Sequence, residues 1–170
     1  MRNAKRLSAW ILAVALVVSL CVLVACVDKP QAQELTELTM PTLDKDQMAV
    51  IIKNGDKDYT SIVVTLGKSG VDAKTVEDVL AYLKKEGTVT LEWTSSEYGK
   101  YITKLGKIQP SSQNEWVAVF TSNSAEFDTS AWALSYTVPN SNVTLTTAGK
   151  GISSLSVAPG YVIYFELASM

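Results

Sequence analysis

Histidine is absent from all 170 residues, and arginine occurs only at positions 2 and 6. Without histidine there is no Ser-His-Asp or Cys-His nucleophile pair and no imidazole-ligated zinc. Every basic residue after Arg6 is a lysine, and 17 acids outnumber them. A mildly acidic chain with no guanidinium fork lacks the basic face that phosphate contacts need, which excludes nucleic acid as a partner. Cysteine is nearly as scarce: Cys21 and Cys26 are the two, both near the start. The remainder has to fold without disulfides and carries no thiol redox chemistry.

What the first residues do contain is an export pattern. Met1 to Arg6 is short and basic, and Ala9 to Val24 is uncharged and apolar apart from Ser19. A basic start, an apolar run and a small residue in that order read as a signal peptide over residues 1–25. Leu23-Val24-Ala25-Cys26 resembles the bacterial lipobox, in which a branched apolar residue and a small residue precede the cysteine that receives the lipid. Cys21 fits less well, because bulky Leu20 precedes it. At about 1.5 Å per residue the apolar run reaches roughly 24 Å, short of the roughly 30 Å hydrocarbon core. The expectation is a protein exported and held by acyl chains on Cys26 at the outer face of the bacterial cytoplasmic membrane, each buried CH₂ contributing about 0.8 kcal/mol.

Residues 26–46, with Pro30, Pro41 and no sustained period, read as the lipidated N-terminus and a flexible linker. Residues 47–170 read as one folded domain. Met48 to Lys53, a turn at Asn54-Gly55, and alternating Tyr59 to Leu66 predict a β-hairpin. Thr75 is a candidate N-cap, with Glu77 and Asp78 near the positive helix end. Val76, Val79, Leu80 and Leu83 form one apolar stripe, and Gly87 is a natural stop. Further strands are expected around Val89–Trp93, Tyr101–Thr103, Trp116–Phe120, Ala131–Val138, Val143–Thr146 and Tyr161–Leu167. A hairpin, one helix and then several strands imply an α+β fold: a mixed, β-grasp-like sheet with one main helix packed on one face.

Thr75-Val76-Glu77-Asp78-Val79-Leu80, Glu97 to Ile102, Trp116-Val117-Ala118-Val119-Phe120, and Gly151-Ile152 through Tyr164-Phe165 together resemble the DUF4430 domain over roughly residues 47–168. That family is similar to the C-terminal β-domain of transcobalamin and intrinsic factor. The resemblance implies a β-grasp-type fold and a ligand-binding tendency, with a corrinoid as the named candidate. It assigns no individual contact residue. In the cobalamin carriers a helical domain completes the site.

Catalytic sets are sparse. Neighbouring acids at Asp56/Asp58 fit a turn, and Glu77/Asp78 fit a helix start, better than a metal site. Glu92, Glu97, Glu115 and Glu166 lie on or near strands, but nothing selects two of them as a glycosidase pair. There is no Gly-x-Ser-x-Gly elbow and no Ser-x-x-Lys. The expectation is a protein that is not an enzyme and has no cofactor and no metal. Aromatic residues are the remaining lead, since ring faces suit stacking on a ring system or a sugar. Trp93, Trp116 and Phe120 are expected in the core under the helix, whereas Tyr98, Tyr101 and Trp132 lie among Gly, Ser and Thr and are candidate ligand contacts. Two functions follow. One is a tethered module that captures a ring-bearing small molecule for a transporter; the other is a non-catalytic surface domain that binds a protein or polymer.

Overall fold

The computed structural model describes residues 29–97 and 99–170, with Ser69 described by its backbone alone. Its strands are β1 (Ala32–Leu35), β2 (Gln47–Gly55), β3 (Asp58–Thr65), β4 (Leu91–Ser96), β5 (Gly99–Leu105), β6 (Glu115–Thr121), β7 (Ser135–Thr137), β8 (Thr144–Thr147) and β9 (Val162–Ser169), and its α-helix is α1 (Val76–Lys85). Seven strands form one mixed sheet in the order β1-β3-β2-β9-β6-β8-β7, while β4 and β5 pair separately. Among the described residues, no helix is long and apolar enough to cross a membrane.

The last strand takes the central place. β9 lies parallel to β2 on one side and antiparallel to β6 on the other. Buried on both faces, these strands have no polar side to alternate with, which is why Met48 to Ile52 and Val162 to Phe165 read as unbroken apolar runs. Helix α1 starts on a capping box: Asp78 donates its N–H to the Thr75 hydroxyl, and its carboxylate accepts the N–H of Thr75. The helix ends with Thr88 N–H on Leu83 and Gly87 N–H on Lys84, a Schellman pair that needs the left-handed φ of 72° at Gly87. Val76, Val79, Leu80 and Leu83 are buried against Met48, Val50, Ile52, Ile163 and Phe165, with β4 and β5 closing the same core.

A second core covers the opposite face. Ala49, Ile51, Ala118, Phe120, Val162 and Tyr164 meet Val138 and Leu145, with Leu38, Met40, Leu43 and Trp116 packed around them. Three expectations change here. The stretch expected to be a flexible linker supplies edge strand β1, which pairs Ala32 with Ile62 through Leu35 with Tyr59, and then the cover of the second core. Trp116 and Phe120 belong to this second face and not to the helix face, because the period-two alternation of β6 places them opposite Val117 and Val119. The Asn54-Gly55 pair is not the turn: β2 runs through it with a bulge, and Asp56 and Lys57 turn the chain, Lys57 at a left-handed φ of 59°. Asn54 instead bonds Thr60 Oγ1 and accepts the N–H of Lys107, tying the hairpin to the turn after β5. Trp93 is half-buried against the helix-side core, with the ammonium groups of Lys84 and Lys100 at 6.0 and 5.5 Å from its ring.

Candidate functional site

Glu166 interrupts the apolar run of β9 and faces the second core. It is 8% exposed. Its carboxylate accepts three donors: Tyr136 Oη at 2.8 Å, Tyr164 Oη at 2.9 Å and Lys53 Nζ at 3.4 Å, Lys53 being its neighbour across the parallel ladder. A buried charge persists when it is paired and hydrogen-bonded in this way. Burial, reinforced by the hydrogen bond and charge of Glu166, pushes the Tyr136 phenol up to about 12, and burial and the same carboxylate push Tyr164 higher still. Both phenols are therefore neutral donors at ordinary pH, not bases or nucleophiles.

The rings of Phe120, Tyr136 and Tyr164 form a trio. Phe120 lies 5.2 Å from Tyr136 and 5.4 Å from Tyr164, both tilted, and the two tyrosines meet edge to face at 6.1 Å. Tyr136 is the member that reaches the surface, at 36% exposure. Beside it opens a cleft of about 700 Å³ between the chain after β1, the β2–β3 turn and β7, lined among others by Glu37, Leu38, Asp56, Lys57, Tyr59 and Tyr136. Its volume is within the range of small-molecule sites.

The residues singled out in the sequence are not brought together. Tyr101 is exposed and lines a separate hollow of about 520 Å³ with Thr103, Pro110 and Glu115. Trp132, 88% exposed, sits on the turn before β7, where the strand expected from Ala131 shortens to Ser135–Thr137. Tyr98 and Cys26 lie outside the described residues. The acids divide as follows. Asp58 bonds Lys107, Asp78 caps α1, Glu77 accepts the Ser153 hydroxyl, and Glu115 accepts the Ser111 N–H and hydroxyl. Among the described residues no three carboxylates or cysteines converge as a metal site. Tyr59 and Tyr136 are not among the candidate contacts that the sequence offers, and Glu166 stands there only as one of four acids that nothing pairs. A lone charge inside an apolar central strand was the available signal, since such a charge must have buried partners.

No protein-family model matches the chain, and no curated protein matches it. Among solved structures, the chain is similar to a protein from Ruminococcus gnavus described as a "putative metal binding protein", with 18% identity, a TM-score of 0.47, and coverage of 74% of this chain and 98% of that one.

Proposed function

We propose that this chain is a lipid-anchored, extracytoplasmic, non-catalytic module that binds a ring-bearing small molecule in the Tyr59–Tyr136 cleft. The observation that carries the reading is the fixed ring of Tyr136 at the edge of that cleft, held from behind by Glu166 and Phe120. A site whose aromatic surface is set before the ligand arrives loses little entropy on binding. The β2–β3 hairpin, the crossing helix and a last strand parallel to β2 support a β-grasp-like arrangement and the resemblance to the DUF4430 domain, for which a corrinoid is the natural first probe. Cys26 carries the anchor, and a membrane transporter is the receiving partner. Equilibrium dialysis of the full chain against cyanocobalamin, and against a panel of smaller ring compounds, tests this. Saturable binding that Tyr136→Ala abolishes is expected, and no saturable binding of any member ends the reading.

The runner-up function rests on a different place. Trp132 and Leu134, 88% and 54% exposed, flank edge strand β7, a three-residue strand with one ladder neighbour. Large apolar side chains beside an open sheet edge suit a protein partner that adds a strand. Capture of one surface protein by the wild-type chain, lost in Trp132→Ala and kept in the cleft variant Asp56→Asn, would favour this function over the cleft.

A further inference from the structure

We infer that the ligand class of the Tyr59–Tyr136 cleft is a neutral saccharide, stacked on Tyr136 and hydrogen-bonded by the rim. The inference rests on the cleft reading above and narrows it. Sugars present a C–H face that packs on an aromatic ring and an edge of hydroxyls that each donate and accept. Tyr136 meets the first need, because its hydroxyl is committed to Glu166 and its ring is backed by Phe120, so what it offers the cleft is ring surface.

The rim meets the second need. Thr36, Glu37, Asp56, Lys57 and Thr137 all line the cleft. Among the described residues, none of their side chains has a hydrogen-bond or ion-pair partner within the protein. Two carboxylates accept, one ammonium donates and two threonine hydroxyls do both, which is the mixture a polyhydroxylated ligand satisfies. The signs of charge also discriminate. Carboxylates outnumber the single ammonium, so phosphorylated or polyacidic ligands are disfavoured. Apart from ring faces, the apolar lining is Leu38 and Pro139, too little to cover a large hydrophobic macrocycle.

The test is calorimetric titration of the full-length chain, kept in a polyoxyethylene detergent that carries no sugar, with cellotriose, maltotriose, chitotriose and cyanocobalamin. At least one trisaccharide should bind saturably. Tyr136→Ala should weaken it at least tenfold, and the exposed changes Asp56→Asn and Lys57→Gly should each weaken it severalfold without disturbing the fold. Trp132→Ala should leave it unchanged. Cyanocobalamin binding with no trisaccharide binding overturns the saccharide assignment and leaves the cleft reading standing. No binding of any of the four overturns the assignment as well. Trisaccharide binding indifferent to Tyr136, Asp56 and Lys57 shows that the sugar sits elsewhere and likewise overturns it.

Discussion

Glu166 on β9 accepts the phenol of Tyr136 on β7 at 2.8 Å, although β6 and β8 lie between their strands. At the usual spacing of about 4.8 Å per strand, a flat sheet would hold β9 and β7 roughly 14 Å apart. The sheet therefore curls toward its second face, and the hydrogen bond closes the curl. Phe120 of β6 fills the space beneath. The short edge strand thus gains a fixed position that three ladder pairs alone would hold weakly.

Removing that donor should loosen the curl. Tyr136→Phe keeps the ring against Phe120 but leaves one lone pair of a buried carboxylate without its partner. Hydrogen bonds to charged groups contribute about 1.5–3 kcal/mol, and Tyr164 and Lys53 remain to satisfy Glu166. The expected loss is about 1–2 kcal/mol in urea unfolding, with amide exchange accelerated first in β7 and β8. Unchanged stability would mean that the bond closes nothing.

High pH should act on the same cluster. A phenol titrates near 10 when free, and in the folded chain Tyr136 is pushed up to about 12 by burial and then by Glu166. A folded value above the unfolded one means that the unfolded chain loses its proton first. The stabilisation is complete below pH 10 and is lost as pH rises from 10 through about 12. Tyr164, pushed further in the same direction, adds to the slope. Stability measured from pH 8 to 11.5 should be flat and then fall beyond 10, while absorbance at 295 nm shows three of the seven tyrosines, Tyr82, Tyr136 and Tyr164, ionising late. Ionisation of all seven together, with the fold intact, contradicts this.

Acid should act on a different carboxylate. Glu126, 8% exposed, accepts the Ser156 N–H, the Ser156 hydroxyl and the Lys150 ammonium, each at 2.9 Å, and so fastens the loop before β9 to the turn after β6. Burial alone would raise its titration point, but Lys150 and Ser156 together outweigh it and hold it below the usual 4.5. With the folded value depressed, the stabilisation is present above pH 4.5 and is lost as pH falls through the lower folded value. Glu126→Gln should cost about 2 kcal/mol at pH 7, the scale of hydrogen bonds to a charged group. It should also flatten the dependence of stability on pH below 4.5. An equally steep acid limb in the variant would assign that limb to other groups.

The sequence disclosed most where local chemistry decides alone. The stripe Val76, Val79, Leu80, Leu83 and the cap at Thr75 predict α1 and its buried face, because capping and 3.6-residue periodicity are local properties. The alternation of Ile62, Val64 and Leu66 likewise places all three in the helix-side core. Strand order was less legible, since nothing in Tyr161–Leu167 says that it pairs with β2. The face of Trp116 and Phe120 was illegible for a related reason: an apolar run buried on both sides does not say which parity meets the helix. The cleft was hidden because Glu37, Asp56, Tyr59 and Tyr136 come from three separate segments that only the curl and edge strand β1 bring together. The stretch before Gln47 reads as a linker because four residues of edge strand with polar neighbours carry almost no periodic signal.

That last stretch supports the sharpest prediction. A domain beginning at Gln47, as periodicity alone would have it, lacks β1 and the cover that Leu38, Met40 and Leu43 give the second core. Losing the burial of these three partly buried apolar side chains should cost on the order of 3 kcal/mol, at about 1 kcal/mol each for half-burial. The loss of β1 also bares the outer edge of β3, eight residues long and carrying Ile62 and Val64. A long unpaired edge of that composition recruits other strands. The chain without residues 29–46 should therefore unfold at lower urea and self-associate on size-exclusion chromatography. The chain without residues 29–31 alone should lose little beyond the exposed Lys29–Glu86 pair and the Thr88 bond to the Pro30 carbonyl. If the shorter domain stays monomeric and as stable as the longer one, then β1 is an ornament on the sheet and the second core closes without it.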